Sequence, residues 1–192
     1  MFTPFYRDIH PEGWLHRQLE IQAKGLSGNL HKVWPDVRDS AWIGSTCEGW
    51  ERVPYWLDGL IPLAHLLDDK DLIETANLYI RSIIERQQAD GWICPCEKEE
   101  RSSYDAWAVL LIGKVLALHV EFTGDPSAEN ALYRAMKNLY DLLSSNKIRL
   151  FEWGKFCWYE GFIPLLHLYK ANKEDWMLDL ARILRAQGQC YE

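Results

Sequence analysis

Eleven residues in the first third of this chain return almost unchanged 102 residues further on. Trp56-Leu57-Asp58-Gly59-Leu60-Ile61-Pro62-Leu63-Ala64-His65-Leu66 reappears as Trp158-Tyr159-Glu160-Gly161-Phe162-Ile163-Pro164-Leu165-Leu166-His167-Leu168, identical at seven positions. A fainter copy, Gly113 to His119, keeps the same glycine-to-histidine spacing, so Gly59, Gly113 and Gly161 stand 54 and 48 residues apart. A unit of that period cannot bury its own apolar face and is stable only when stacked on neighbours. The chain therefore has to fold as an array.

Apolar residues recur at helical spacing throughout. Stripes run through Leu15, Leu19, Ala23 and Leu26; through Leu57, Leu60, Ile61, Ala64 and Leu67; and through Ile73, Ala76, Ile80, Ile83 and Ile84. Leu111, Val115, Leu118 and Phe122 continue the pattern, then Leu132, Met136, Leu139 and Leu143, then Phe162 to Tyr169, then Trp176, Leu180 and Ile183. This predicts about seven helices and no strand. The short segments 67–71, 122–126 and 170–174 carry turn and helix-starting residues, so the helices pair as hairpins. Pro62 and Pro164 fall within the repeat and predict a shared kink. His65, His119 and His167 share one repeat position on apolar helices, which predicts buried imidazoles bonded to neighbouring backbone.

The chain has 192 residues and a net charge of −7 without a basic tract, which excludes nucleic acid and anionic lipid as partners. Its opening, Met1 to Asp8, has no charged-then-apolar leader, and no apolar run approaches the ~18 residues of a membrane span. Five cysteines, an odd number, fit a reducing compartment, and the expected location is cytoplasmic. Cys94-Pro95-Cys96 lacks further ligands at a useful spacing and reads as two loop cysteines, with no metal site.

Ten Trp and nine Tyr exceed what packing alone asks for. Many stand where helices of the repeat begin. Trp50, Glu51, Tyr55, Trp56 and Asp58 precede or open the first such helix, Asp105 and Trp107 the second, and Trp158 and Glu160 the third, with Glu48, Arg52, Tyr104, Trp153, Lys155 and Tyr159 among them. If equivalent helix starts converge, these nine residues line one mouth, and rings mixed with carboxylates suit a saccharide. Other readings stand beside this one: first-turn acids stabilise helix dipoles, indoles pack, and Glu51 with Arg52 forms an ion pair. Spacing alone appoints no catalytic acid or base.

Three stretches carry a resemblance. Pro11-Glu12-Gly13-Trp14-Leu15 leading into Gln18-Leu19 and Gly25-Leu26-Ser27-Gly28 is one, Glu48 to Leu60 with Pro62-Leu63-Ala64 is the strongest, and Gln87-Gln88-Ala89-Asp90-Gly91-Trp92 is the third. Together they resemble the N-terminal half of glycoside hydrolase family 127, which includes β-L-arabinofuranosidases. The resemblance implies an all-α fold in which residues 1–192 form one helical domain, about half of an (α/α)₆ toroid. It further implies retaining hydrolysis by a zinc-bound cysteine with a glutamate acid/base, residues that lie in the family's later half. The family's Glu-x-Cys and Cys-Cys ligand patterns do not occur here, so zinc has no ligands in this sequence and no other cofactor is indicated. The expected protein is a fragment or truncated glycosidase that contacts carbohydrate, completed by the missing barrel half or by a second copy. A non-catalytic carbohydrate-binding or scaffold protein and an uronyl hydrolase-like toroid enzyme are the alternatives.

Overall fold

The computed structural model describes residues 9–191; the opening segment read above for a leader lies outside the described residues, as does Glu192. Among the described residues the chain is helical with no strand, its nearest approach to one being an isolated bridge between Ser40 and Cys47. No described helix is long and apolar enough to cross a membrane.

The seven expected helices are α1 (Gly13–Lys24), α4 (Arg52–Leu66), α5 (Lys70–Glu85), α6 (Trp107–Thr123), α7 (Pro126–Ser144), α9 (Phe162–Asn172) and α10 (Asp175–Gln187). Three short helices were not foreseen: α2 (Leu26–Val33), α3 (Pro35–Arg38) and α8 (Glu152–Phe156). The first stripe does not run through to Leu26, because Gly25 turns extended and its N–H closes back on Ile21 and Gln22. Three hairpins follow, α4/α5, α6/α7 and α9/α10. They stand in two rows, with α6 between α4 and α9 in one and α7 between α5 and α10 in the other. The row assignment is written in the side chains. Helices α5, α7 and α10 are strongly amphipathic and bury one face, whereas α6 is apolar all round and buries eleven of its seventeen residues.

The hairpin turns form as their residues dictate. Asp69 accepts hydrogen bonds from the N–H groups of Asp71 and Leu72 to start α5. Gly124 adopts a left-handed conformation to end α6, and Asp125 then caps α7 with Pro126 in its first turn. Lys173 takes the left-handed position before α10.

The shared kink is not present. Pro62 lies deep inside α4, but the third copy breaks into a 3₁₀ turn, Trp158–Gly161, before α9 begins. Pro164 thus occupies the first turn of α9, where a missing N–H costs no helical bond. The histidines also differ from expectation, since their neighbours are side chains. His65 stacks on Phe122 with ring centroids 4.5 Å apart, His119 Nε2 lies 3.6 Å from Asp125, and His167 Nε2 lies 2.7 Å from Glu129. The rings of His65 and His167 tie their helices to the second hairpin, and that of His119 ties α6 to the start of α7 within it.

Burial lowers the pKa of His31, His65 and His119 below the free value of 6.5, aided by Lys32 at His31 and by His119 at His65, and opposed by Asp125 at His119. The unfolded chain therefore takes up these protons first. From these histidines alone, stability should decline as pH falls below 6.5 toward the folded values, with Asp105, whose pKa is raised, opposing the decline at its acid end. Asp90, held low by Arg101, adds its own loss only below 3.8, outside this window. Thermal melts stepped through the window should show the decline, and His119→Gln should flatten it; a melting temperature that rises on acidification from pH 6.5 would contradict the assignment.

Candidate functional site

The site is built on Trp107, the first residue of α6. Its indole is 2% exposed. Trp50 and Tyr55 meet it edge-on, with centroids 5.2 and 5.3 Å away, and Trp153 of α8 stacks on it at 5.7 Å with an interplanar angle of 29°. Trp107 Nε1 donates 2.9 Å to a carboxylate oxygen of Glu160, which stands on the 3₁₀ turn before α9. All three hairpins thus contribute at one place. The outer surface of the group is open: Trp153 is 52% exposed, and Tyr55 and Tyr159 are about half exposed.

Asp105 builds this arrangement. Its carboxylate accepts from Trp107 N at 3.0 Å, Gly154 N at 2.9 Å and Trp153 N at 2.8 Å, so one buried side chain caps both α6 and α8. Its carbonyl accepts from Trp50 Nε1. Burial raises the pKa of Asp105 while the three N–H donors oppose the rise. A Cβ on Gly154 would sit 2.7 Å from the Asp105 carboxylate, so this cap requires glycine there.

The acids around the opening are in different states. Glu51 pairs with Arg52 at 2.5 Å and Asp58 with Lys114 at 2.8 Å. Asp58 and Lys114 open onto a cleft of about 270 Å³ that also touches Glu121 and Ile163. Glu160 is held by the Trp107 indole. Burial raises the pKa of the Tyr55 phenol, and Glu160, Cys157, Glu51 and Asp58 raise it further, which marks how closely these groups gather around the ring.

Of the nine residues singled out in the sequence, Trp50, Tyr55, Trp107 and Glu160 come into one cluster, Glu51 and Asp58 flank it, and Asp105 lies beneath it as a cap. Trp56 and Trp158 face elsewhere. Trp56 is buried against Tyr79 and His31 and donates to Ser27 O; Trp158 packs on Phe162 and donates to Gln189 O. One concavity lined by every ring is therefore not formed, because residues 55 and 56 of one helix turn lie about 100° apart. Trp153 was not among the nine, although its place two residues into α8 gives it the most exposed flat ring at the site.

The other quoted motifs serve the frame. Glu48 accepts from the N–H groups of Trp50, Glu51 and Arg52 and starts α4. In the Gln87–Trp92 loop, Arg101 binds Asp90 at 2.6 Å and also Gln88, and lies over the Trp92 ring. Gly91 has φ +97°, and a Cβ there would sit 2.5 Å from Arg134 O, so the loop reaches α7 only with glycine.

Burial pushes the Cys94 thiol well up and that of Cys96 up to about 11. Among the described residues no group of three or more His, Cys, Asp or Glu is placed to hold a metal ion. Compared with protein-family models, curated proteins and solved structures, the chain has no match in any of the three.

Proposed function

We propose that this chain supplies the carbohydrate-contacting wall of a glycoside hydrolase-type helical toroid, with Trp153, Tyr55 and Glu160 as the ligand contacts. The observation that carries the reading is the Trp107–Glu160 hydrogen bond under the exposed Trp153 ring. It fixes a carboxylate beside a flat apolar surface, and a sugar presents that pairing in reverse: an apolar ring face with hydroxyl donors at its edge. Glu160 keeps acceptor capacity for those hydroxyls, because a carboxylate offers about four lone-pair sites.

A second reading, carbohydrate binding without hydrolysis by this chain, is favoured by the state of the other acids. Two-carboxylate hydrolysis needs an acid and a base or nucleophile across the bond. Here Asp105 is saturated by backbone, and Glu51 and Asp58 are each bound to a cation.

Titrating arabinosides, galactosides and uronides against tryptophan fluorescence tests the site. At least one sugar should give a saturable change. Trp153→Ala and Glu160→Gln should each weaken it about tenfold or more, the scale of a lost stacking surface or charged hydrogen bond. Binding that survives both substitutions at full strength would place the ligand elsewhere.

A further inference from the structure

A five-residue helix cannot satisfy its own backbone. The first four N–H groups and the last four C=O groups of any helix lack partners within it, and a first turn is costly to form, so α8 stands only where both of its ends are held from outside. The Asp105 carboxylate holds the N–H end, at Trp153 and Gly154. The carbonyl end is held by residues 187–191, at and after the close of α10. Gln189 N–H donates to Lys155 O at 2.8 Å, and the Tyr191 hydroxyl donates to Phe156 O at 2.6 Å. Two further bonds fix the same segment on either side of α8. The Gln187 side-chain oxygen accepts from Leu150 N at 2.9 Å, before the helix, and Gln189 O accepts from Trp158 Nε1 at 3.1 Å, after it. Between them the chain lies against the Trp158 indole, where a Cβ on Gly188 would sit 2.2 Å from a ring carbon. Trp158, which the mouth does not use, is the seat of this segment.

We propose that residues 187–191 are a strap that sets where α8, and with it the Trp153 ring, stands over Trp107. Gln189 and Tyr191 are then positioning residues, acting on the mouth through α8. Of the two stacked indoles, Trp107 is held by the buried helix α6 and needs no strap, whereas Trp153 goes where α8 goes. Without the strap Asp105 still gathers the N–H end, but the carbonyls of Lys155 and Phe156 lose the donors that close the other end of the helix. The central member of the strap is backbone, since residue 189 both donates through its N–H and accepts through its C=O. Its side chain bonds only to the neighbouring Cys190 O, so the strap can be opened or spared by choice of substitution at one position. The consequence for a sugar rests on the carbohydrate reading of the mouth; the hold on α8 does not.

Gln189→Pro removes the N–H donor, Gln189→Ala keeps it, and Tyr191→Phe removes only the hydroxyl. Gly188 is already extended, as the residue before a proline must be. Amide hydrogen exchange reads the strap without any ligand, at the two bonds within and closing α8, Lys155 N–H to Phe151 O and Cys157 N–H to Trp153 O. Gln189→Pro with Tyr191→Phe should speed exchange at these amides about tenfold or more, the scale of two lost hydrogen bonds at a locally opening element, with the amides of α6 unchanged. Gln189→Ala should match the wild type. Titrated with a sugar that the wild type binds, the double variant should bind about threefold or more weakly at an unchanged melting temperature, a split that a general loss of stability would not give. If circular dichroism shows the proline variant unfolded, Tyr191→Phe alone carries the arm, with exchange about threefold faster. Unchanged exchange at Lys155 and Cys157, or Gln189→Ala opening α8 as far as the proline does, would overturn the proposal. Faster exchange with unchanged affinity would support the strap and remove Trp153 from the sugar contacts, so the two readings fail separately.

Discussion

Asp105→Ala is expected to destabilise the fold by about 3–5 kcal/mol, since each buried donor left without an acceptor costs about 1–3 kcal/mol and three lose theirs. The donors are the backbone N–H groups of Trp107, Trp153 and Gly154, at the starts of two different helices. Water entering the vacated space recovers part of the cost, which keeps the figure below the full sum. Asp105→Asn should cost less, because its oxygen still serves Trp107 and Gly154 while its amide faces the Trp153 N–H. Urea melts should therefore order the variants wild type, Asp105→Asn, Asp105→Ala. A loss under about 1 kcal/mol for the alanine variant would mean that α8 is held by something other than this cap. Sugar binding should fall with stability, because the cap positions Trp153.

Trp107→Ala should be equally severe, about 3–5 kcal/mol, the range for truncating a large buried aromatic. Its indole fills the space between Trp50, Tyr55 and Trp153, and Trp50 cannot move into the gap without leaving the Asp105 carbonyl. Trp107→Phe separates packing from positioning. It keeps most of the ring and loses the bond to Glu160, which costs about 1 kcal/mol of stability. If that bond aims the carboxylate, affinity for a sugar should drop about tenfold, whereas Trp107→Phe with unchanged affinity would make the bond merely structural.

The array was legible in the sequence because its signals are local. Helical period, capping aspartates and left-handed turn residues act within a few positions, and at Asp69 and Asp125 they work as the residues alone suggest. The repeat also identified where helices begin, and it brought Trp50, Tyr55, Trp107 and Glu160 within one field of view. It misled where identity of residues was taken for identity of environment. Trp56 and Trp158 match in sequence, but α4 runs unbroken from Arg52 while the third copy starts with a 3₁₀ turn, so the two indoles meet different neighbours. Asp105 illustrates a different limit. A carboxylate in front of a helix reads equally as a cap or as chemistry, and only the arrival of α8 from 48 residues away decided between them.

The unequal burial of the hairpins gives the array a gradient of local opening. The middle hairpin is supported on both sides and α6 buries most of its residues, whereas α1 buries none. Local unfolding follows buried contact, so the chain comes apart from its margins inward and α6 is the last element to yield. The two stacked indoles of the site belong to opposite ends of that scale. Trp107 is rooted in the most deeply buried helix, while Trp153 rides on five-residue α8, which is tied down by the carboxylate of Asp105, by the Gln189 N–H on Lys155 O and by the Tyr191 hydroxyl on Phe156 O. One ring is enclosed in the frame and the other lies half exposed on a short helix above it.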